Sequence, residues 1–202
     1  DLNWWRQRLE DPAWTGSRIW PSDDALPLLT MKSDASGDGG CGYYLGDEFR
    51  TYVWNDQERE HSIAWKELFP VLLACKEFGH TWQRKIIRCG IDNAGAVYML
   101  NSGSAGQPDC ADLLRQIADY QLKYDFDIVA TWVGFLPREF NEAADSLSRN
   151  NVVLAQAQAK EEIAIHRKLQ LPTQPRFSIG SHAKGLWRPP SRRPCRSRHS
   201  RT

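Results

Sequence analysis

Hydrophobic and polar positions follow two periods along this chain, and the places where one gives way to the other predict its elements. Residues 28–31 form a short apolar, β-tolerant run, expected as a strand, with Asp34 at its far end. Ser36-Gly37-Asp38-Gly39-Gly40 is too glycine-rich for helix and is expected as a turn. A second strand is expected over 41–45, a turn over 46–48, and a third strand over 49–54, where Tyr52 and Trp54 alternate with Thr51 and Val53. Residues 55–60 read as a polar loop. From Ser62, a plausible N-cap, the period becomes helical: Ala64, Leu68, Val71, Leu72, Cys75 and Phe78 fall on one stripe as far as Gly79. Pro70 lies inside that helix and should kink it. Glu67 sits beside the stripe rather than opposite it.

The second half alternates strand and helix. Residues 85–91 contain the β-branched run IIRCGI, expected as a buried central strand that ends at Asp92, with Asn93 capping a helix over 94–100. A Gly/Ser loop over 101–108 leads to a helix over 109–123 with Leu113, Leu114, Ile117, Ala118 and Leu122 on its apolar face. A strand is expected over 125–133, with Phe126, Ile128, Ala130 and Trp132 on one side, then a loop over 134–140 containing Pro137-Arg138-Glu139. Asn141 is placed to cap a last helix that carries Asp145 one turn in and ends near Arg149. A hairpin followed by alternating strands and helices predicts an α/β fold, a mixed sheet flanked by helices. The strands joined by helical crossovers should run parallel.

Composition changes this picture mainly at the two ends. The chain of 202 residues is long enough for one domain with a core and a tail. The Trp-rich segment 1–27 allows a short helix with Trp4, Trp5 and Leu9 on one face, ending before Pro12. Residues 1–150 carry 15 Lys/Arg against 23 Asp/Glu, net −8, whereas 151–202 carry 11 against 2, net +9. From Arg176 onward there are eight basic residues and no acid, in a Pro-rich setting that cannot bury a core, so 169–202 is expected as a basic disordered tail. Residues 151–168 are helix-prone without a wide apolar face and are expected as a linker. No run of about 18 apolar residues is present, so no membrane partner is expected. The five cysteines are widely spaced with no C-x-x-C, which argues against a zinc site or a disulfide framework. They are expected as reduced thiols of an intracellular protein, in cytoplasm or nucleus. The sequence begins at Asp1 without methionine and is expected to be a fragment of a longer protein.

The chemistry lies in four acids. In sheets of this kind the site forms beyond the carboxyl ends of the parallel strands, where Asp34 and Asp92 are expected. Glu67 and Asp145 are expected in early turns of helices able to pack nearby. Four converging carboxylates repel one another unless cations hold them. Oxygen ligands without histidine or cysteine suit Mg²⁺ or Mn²⁺.

With S-D-A-S-G at Asp34, K-E-L at Glu67, I-D-N at Asp92 and F-L-P-R-E-F-N-E-A-A-D-S-L-S-R through Asp145, residues 28–150 resemble type 1 ribonuclease H. The last block is most similar to the domains that follow reverse transcriptase in retroelements, the DIRS-like elements among them. The resemblance implies a ribonuclease H-like fold, with a five-stranded sheet whose antiparallel part has three strands. It also implies cleavage of the RNA strand of RNA–DNA hybrids with two Mg²⁺ or Mn²⁺ ions about 3.5–4 Å apart. Asp34 would then bridge both ions, Asp145 would complete the water-activating ion, and Glu67 and Asp92 would hold the ion at the leaving 3′ oxygen. Ser36, Gly37, Asn93 and Arg138 are expected against the hybrid, where minor-groove 2′-hydroxyls distinguish RNA from DNA. Segment 1–27 would be the connection from an upstream reverse transcriptase domain. The chain departs from the family pattern in two places. Phe135 stands where a histidine is common, with no histidine between His80 and His166, and the loop 102–108 lacks the Lys and Arg of a basic protrusion. The competing readings are a catalytically silent scaffold of the same fold, a transposase or integrase of the same superfamily, and a nucleic-acid-binding module acting through the basic tail. An intact acid set argues against the first, and Asp145 in place of a final Glu argues against the second.

Overall fold

β-Branched and aromatic residues lay down a hairpin of three strands before the first long helix. In the computed structural model, which describes residues 2–12, 28–134, 136 and 140–168, these are β1 (Leu28–Ala35), β2 (Gly40–Leu45) and β3 (Glu48–Val53). Before them stands α1 (Leu2–Glu10), ending ahead of Pro12 as expected. After the hairpin come α2 (Asp56–Arg59), α3 (Ile63–Phe78), a 3₁₀ turn (Gly79–Thr81), β4 (Ile86–Ile91), α4 (Ala94–Ser102) and α5 (Pro108–Tyr124). The chain continues through β5 (Asp127–Trp132), α6 (Glu142–Ser148) and α7 (Val152–Lys168). Two compact units divide the chain, residues 1–164 and 165–202. Of the second, only 165–168, the last turn of α7, is described.

The sheet has five strands in the order β3-β2-β1-β4-β5. β3, β2 and β1 are antiparallel, and β1, β4 and β5 are parallel. This is the expected mixed sheet, including its three-stranded antiparallel part. Successive residues of a strand face opposite sides. Met31 and Ala35 therefore enter the main core with Leu68, Val71, Leu72 and Cys75 of α3 and Leu113, Leu114 and Ile117 of α5. Lys32 and Asp34 face the other side, where α6 packs on β1 and β2. Each aliphatic side chain buried this way contributes roughly 1.5–3 kcal/mol, so the α3 stripe can hold a buried Glu67 in place despite its desolvation.

The structure departs from the sequence reading at four points. Residues 56–59 are helical rather than loop, because Asn55 and Glu58 form a reciprocal capping box. β1 runs on to Ala35, so Asp34 is its penultimate residue. Trp132 is 42 % exposed rather than sharing the core with Ile128 and Ala130; its indole N–H donates to the Asp92 carbonyl at 3.2 Å. Asn141 precedes α6 but makes no side-chain cap bond. Ser62 and Asn93 do cap α3 and α4, accepting from the Trp65 and Ala96 N–H groups. Cys41, Cys75, Cys89 and Cys110 are free and buried. Among the described residues no helix is long and apolar enough to cross a membrane.

Candidate active site

Three elements deliver carboxylates to one depression. Asp34 comes from the end of β1, Asp92 from the residue after β4, and Asp145 from the first turn of α6. With Asn141 and Glu142 they form the polar lining of a cavity of about 270 Å³, completed by Val133, Gly134 and Leu136. The parallel pairing of β1 with β4, Ser33 opposite Ile91, sets Asp34 and Asp92 at neighbouring strand ends. Glu67 approaches from α3, on the other side of β1. It is 4 % exposed and accepts a hydrogen bond from the Ala35 backbone.

Two close approaches fix the arrangement. Gly42 lies opposite Asp34 across β1 and β2, and a Cβ there would stand 2.2 Å from Leu147 Cβ. The absent side chain lets α6 sit directly on β2, which brings Asp145 to Asp34. At Gly134 a Cβ would come within 2.5 Å of Asp92 Oδ1. Glycine there lets the loop after β5 pass against the Asp92 carboxylate.

The electrostatics are those of crowded acids. Burial pushes the Glu67 carboxyl up to about 9, with the charges of Asp34 and Asp92 adding to the effect. Asp34 is also raised, chiefly by burial and then by Asp145 and Asp92, while hydrogen bonds from Ser148 and Asn141 act in the opposite direction. Asp145 is braced by Arg149 one turn on, whose guanidinium donates to Oδ1 at 2.9 and 3.2 Å. Asn141 was expected to cap α6; it makes no cap bond and lines the cavity beside Asp34 instead.

The expected contact residues are placed as follows. The Ser36 hydroxyl accepts from the Gly39 and Gly40 N–H groups at 3.1 and 2.8 Å, and it lies 3.2 Å from the Ser148 carbonyl, stitching the turn to α6. Gly37 is exposed, and its carbonyl accepts from Lys66 at 2.5 Å. Asn93 is half-buried beside Asp92. Arg138 and Phe135 lie outside the described residues. Asn141, Glu142 and Ser148 stand beside the acids without having been expected there as site residues. The first and last lie four residues before and three after Asp145, the spacing that puts side chains on one helical face.

Among the described residues, no group of three or more His, Cys, Asp or Glu side chains is drawn together closely enough to hold a metal ion. The donor chemistry still suits a hard divalent cation. Carboxylate and amide oxygens line the cavity, and two buried acceptors, Glu67 Oε2 and Asn141 Oδ1, have no hydrogen-bond partner.

No family model and no curated protein matches the sequence. Several solved structures resemble the fold. The N-terminal RNase H domain of a Mycobacterium tuberculosis protein, solved as a maltose-binding-protein fusion, is 16 % identical, over 66 % of this chain and 99 % of that one, with a TM-score of 0.47. RNase H1 of the archaeon Halobacterium salinarum is 16 % identical over 62 % and 97 %, with a TM-score of 0.45. The foamy viral protease-reverse transcriptase, in complex with an RNA/DNA hybrid, is 15 % identical over 71 % of this chain and 22 % of that chain, with a TM-score of 0.42.

Proposed function

We propose that the chain is a ribonuclease H-like endonuclease that hydrolyses the RNA strand of RNA–DNA hybrids with two Mg²⁺ or Mn²⁺ ions. The observation that carries this reading is the meeting of Asp34, Asp92 and Asp145, from three separate elements, at one cavity, with buried Glu67 electrostatically coupled to two of them. A structural role gives no reason to crowd four acids, because each raises the cost of ionising the others. Asp34, central to the group and influenced by both Asp92 and Asp145, would be shared between the ions; Asp145 would serve one side, and Glu67 and Asp92 the other. When bound, such ions stabilise charge on the reacting phosphate and lower the pKa of water. The carboxylates must close on the cations and lose any protons they carry.

The chain's own groups prepare the site for that. Asn141 lines the cavity beside Asp34, Arg149 holds Asp145, and Gly134 leaves Asp92 accessible from the cavity. The exposed turn at Ser36 and Gly37 and the N-terminus of α4 at Asn93 would lie against the minor groove, where 2′-hydroxyls are read. A place downstream of a reverse transcriptase in a DIRS-like retroelement is part of this reading, supported by the block ending at Arg149. The test is cleavage of one labelled RNA sequence presented as hybrid, as single strand and as RNA duplex, with Mg²⁺ and with Mn²⁺. Metal-dependent cutting confined to the RNA of the hybrid is expected. Equal cutting of the single strand would contradict the substrate assignment.

A further inference from the structure

Behind the carboxylates lies a second buried polar chain that reaches into α7. Lys32 and Asp34 are two residues apart on β1 and share a face of the sheet. Lys32 is buried, and its ammonium donates to the Phe140 carbonyl at 2.6 Å while forming an ion pair with Glu162 of α7. Glu162 is also buried, and its other carboxylate oxygen accepts from the Tyr44 hydroxyl at 2.8 Å. Tyr44 is the cross-strand neighbour of Lys32. On the same face of α7, Ala155 and Ala159 are buried and Gln158 accepts from Ser146 of α6 at 2.6 Å.

A buried ion pair is a weak source of stability, since well-packed apolar residues often do as well. Its placement is more informative. Phe140 directly precedes Asn141. Asn141 lines the cavity with Asp34 and Asp145, and its backbone carbonyl accepts the Asp145 N–H at 3.0 Å. Fixing the Phe140 carbonyl therefore fixes the residue that stands in the cavity wall beside the two carboxylates.

We propose that Lys32 and Glu162 are positioning residues of the carboxylate site. α7 holds Lys32, Lys32 holds the backbone at Phe140, and that backbone sets Asn141 between Asp34 and Asp145. The inference rests on the function proposed above for its catalytic consequence. It extends the working unit beyond residues 28–150 to a helix that reads from sequence as a linker.

The test uses the full chain, isotope-labelled, with three variants. Glu162→Gln should shift the side-chain amide resonances of Asn141. Gln158→Ala, which cuts the other tie between α6 and α7 without touching Lys32, should leave them in place. Hybrid cleavage by Glu162→Gln should fall about 10–100-fold, the usual cost of losing a supporting residue behind ligands. The loss should lie in kcat, with KM nearly unchanged and with no matching loss in Gln158→Ala. Tyr44→Phe loosens Glu162 more gently and should move the same resonances less, which keeps the test open if Glu162→Gln does not fold. Unmoved Asn141 resonances in the folded variants would overturn the proposal, and so would equal losses of turnover in Glu162→Gln and Gln158→Ala. If Asn141 moves as expected but the wild-type chain cuts no hybrid, the positioning role stands and the nuclease reading falls.

Discussion

At the scale of single residues, the proposed site draws on four carboxylates in unequal surroundings. Glu67 is almost wholly buried, whereas Asp92 is open to solvent. The folded chain holds the Glu67 carboxyl at about 9 against an ordinary value of 4.5. Below that ordinary value the group is protonated in both folded and unfolded chains, and its stabilising effect is fully present. As pH rises toward 9 the unfolded chain ionises and the folded chain resists, so stability is lost. Each pH unit across this window costs at most about 1.4 kcal/mol, with roughly 2–4 °C of Tm per kcal/mol in a chain of this size. Glu67→Gln should therefore melt progressively higher than wild type as pH rises from 5 to 9 in chelator. Parallel Tm curves would contradict the assigned environment. The same sign makes divalent cations bind more tightly as pH rises, since a ligand must give up its proton. An isothermal titration with Mn²⁺ at pH 6 and pH 8 reads this directly.

At the scale of elements, close packing is what turns separated acids into a site. Gly42 is the contact through which α6 meets β2. Gly42→Val should cost about 1–3 kcal/mol as an overpacking substitution, read by denaturant unfolding. It should also reduce hybrid cleavage by more than the fraction unfolded explains, because Asp145 is displaced. Gly106→Ala is the control, since a Cβ at Gly106 meets nothing within 4 Å; equal behaviour of the two would refute the packing argument. The strands, α3 and the elements that carry the four acids were legible in sequence, because periodicity and strand-end acids are local signals. The α2 capping box is an equally local signal, an Asn at 55 followed three residues later by Glu58. The role of α7 was not legible: its inner face is small and polar, Ala155, Gln158, Ala159 and Glu162, and a buried glutamate looks like a solvated one until Lys32 is seen to oppose it. Nor could the pattern show that Asn141 would line the cavity rather than cap its own helix.

At the scale of the whole molecule, charge is divided between the part that carries the site and the part that can attract a polyanion. Residues 1–150 are at −8 and residues 151–202 at +9. Affinity for a hybrid comes largely from phosphate neutralisation, and its salt dependence counts the contacts made. A 1–168 truncation should therefore bind hybrid more weakly and with a shallower salt slope, while cutting at the same positions, because phosphate contacts carry no sequence information. Unchanged affinity and slope would show that the basic segment takes no part in binding. The central claim, that the four carboxylates form one metal-dependent hydrolytic site, is tested most directly by a single comparison. Wild type and Asp34→Asn are assayed on an RNA-labelled hybrid with Mg²⁺ and with chelator, after both are shown to be folded. Cleavage by wild type only when Mg²⁺ is present, with at least about a thousandfold loss in Asp34→Asn (~4 kcal/mol of transition-state stabilisation), is the result predicted here; cleavage by Asp34→Asn at the wild-type rate would contradict it.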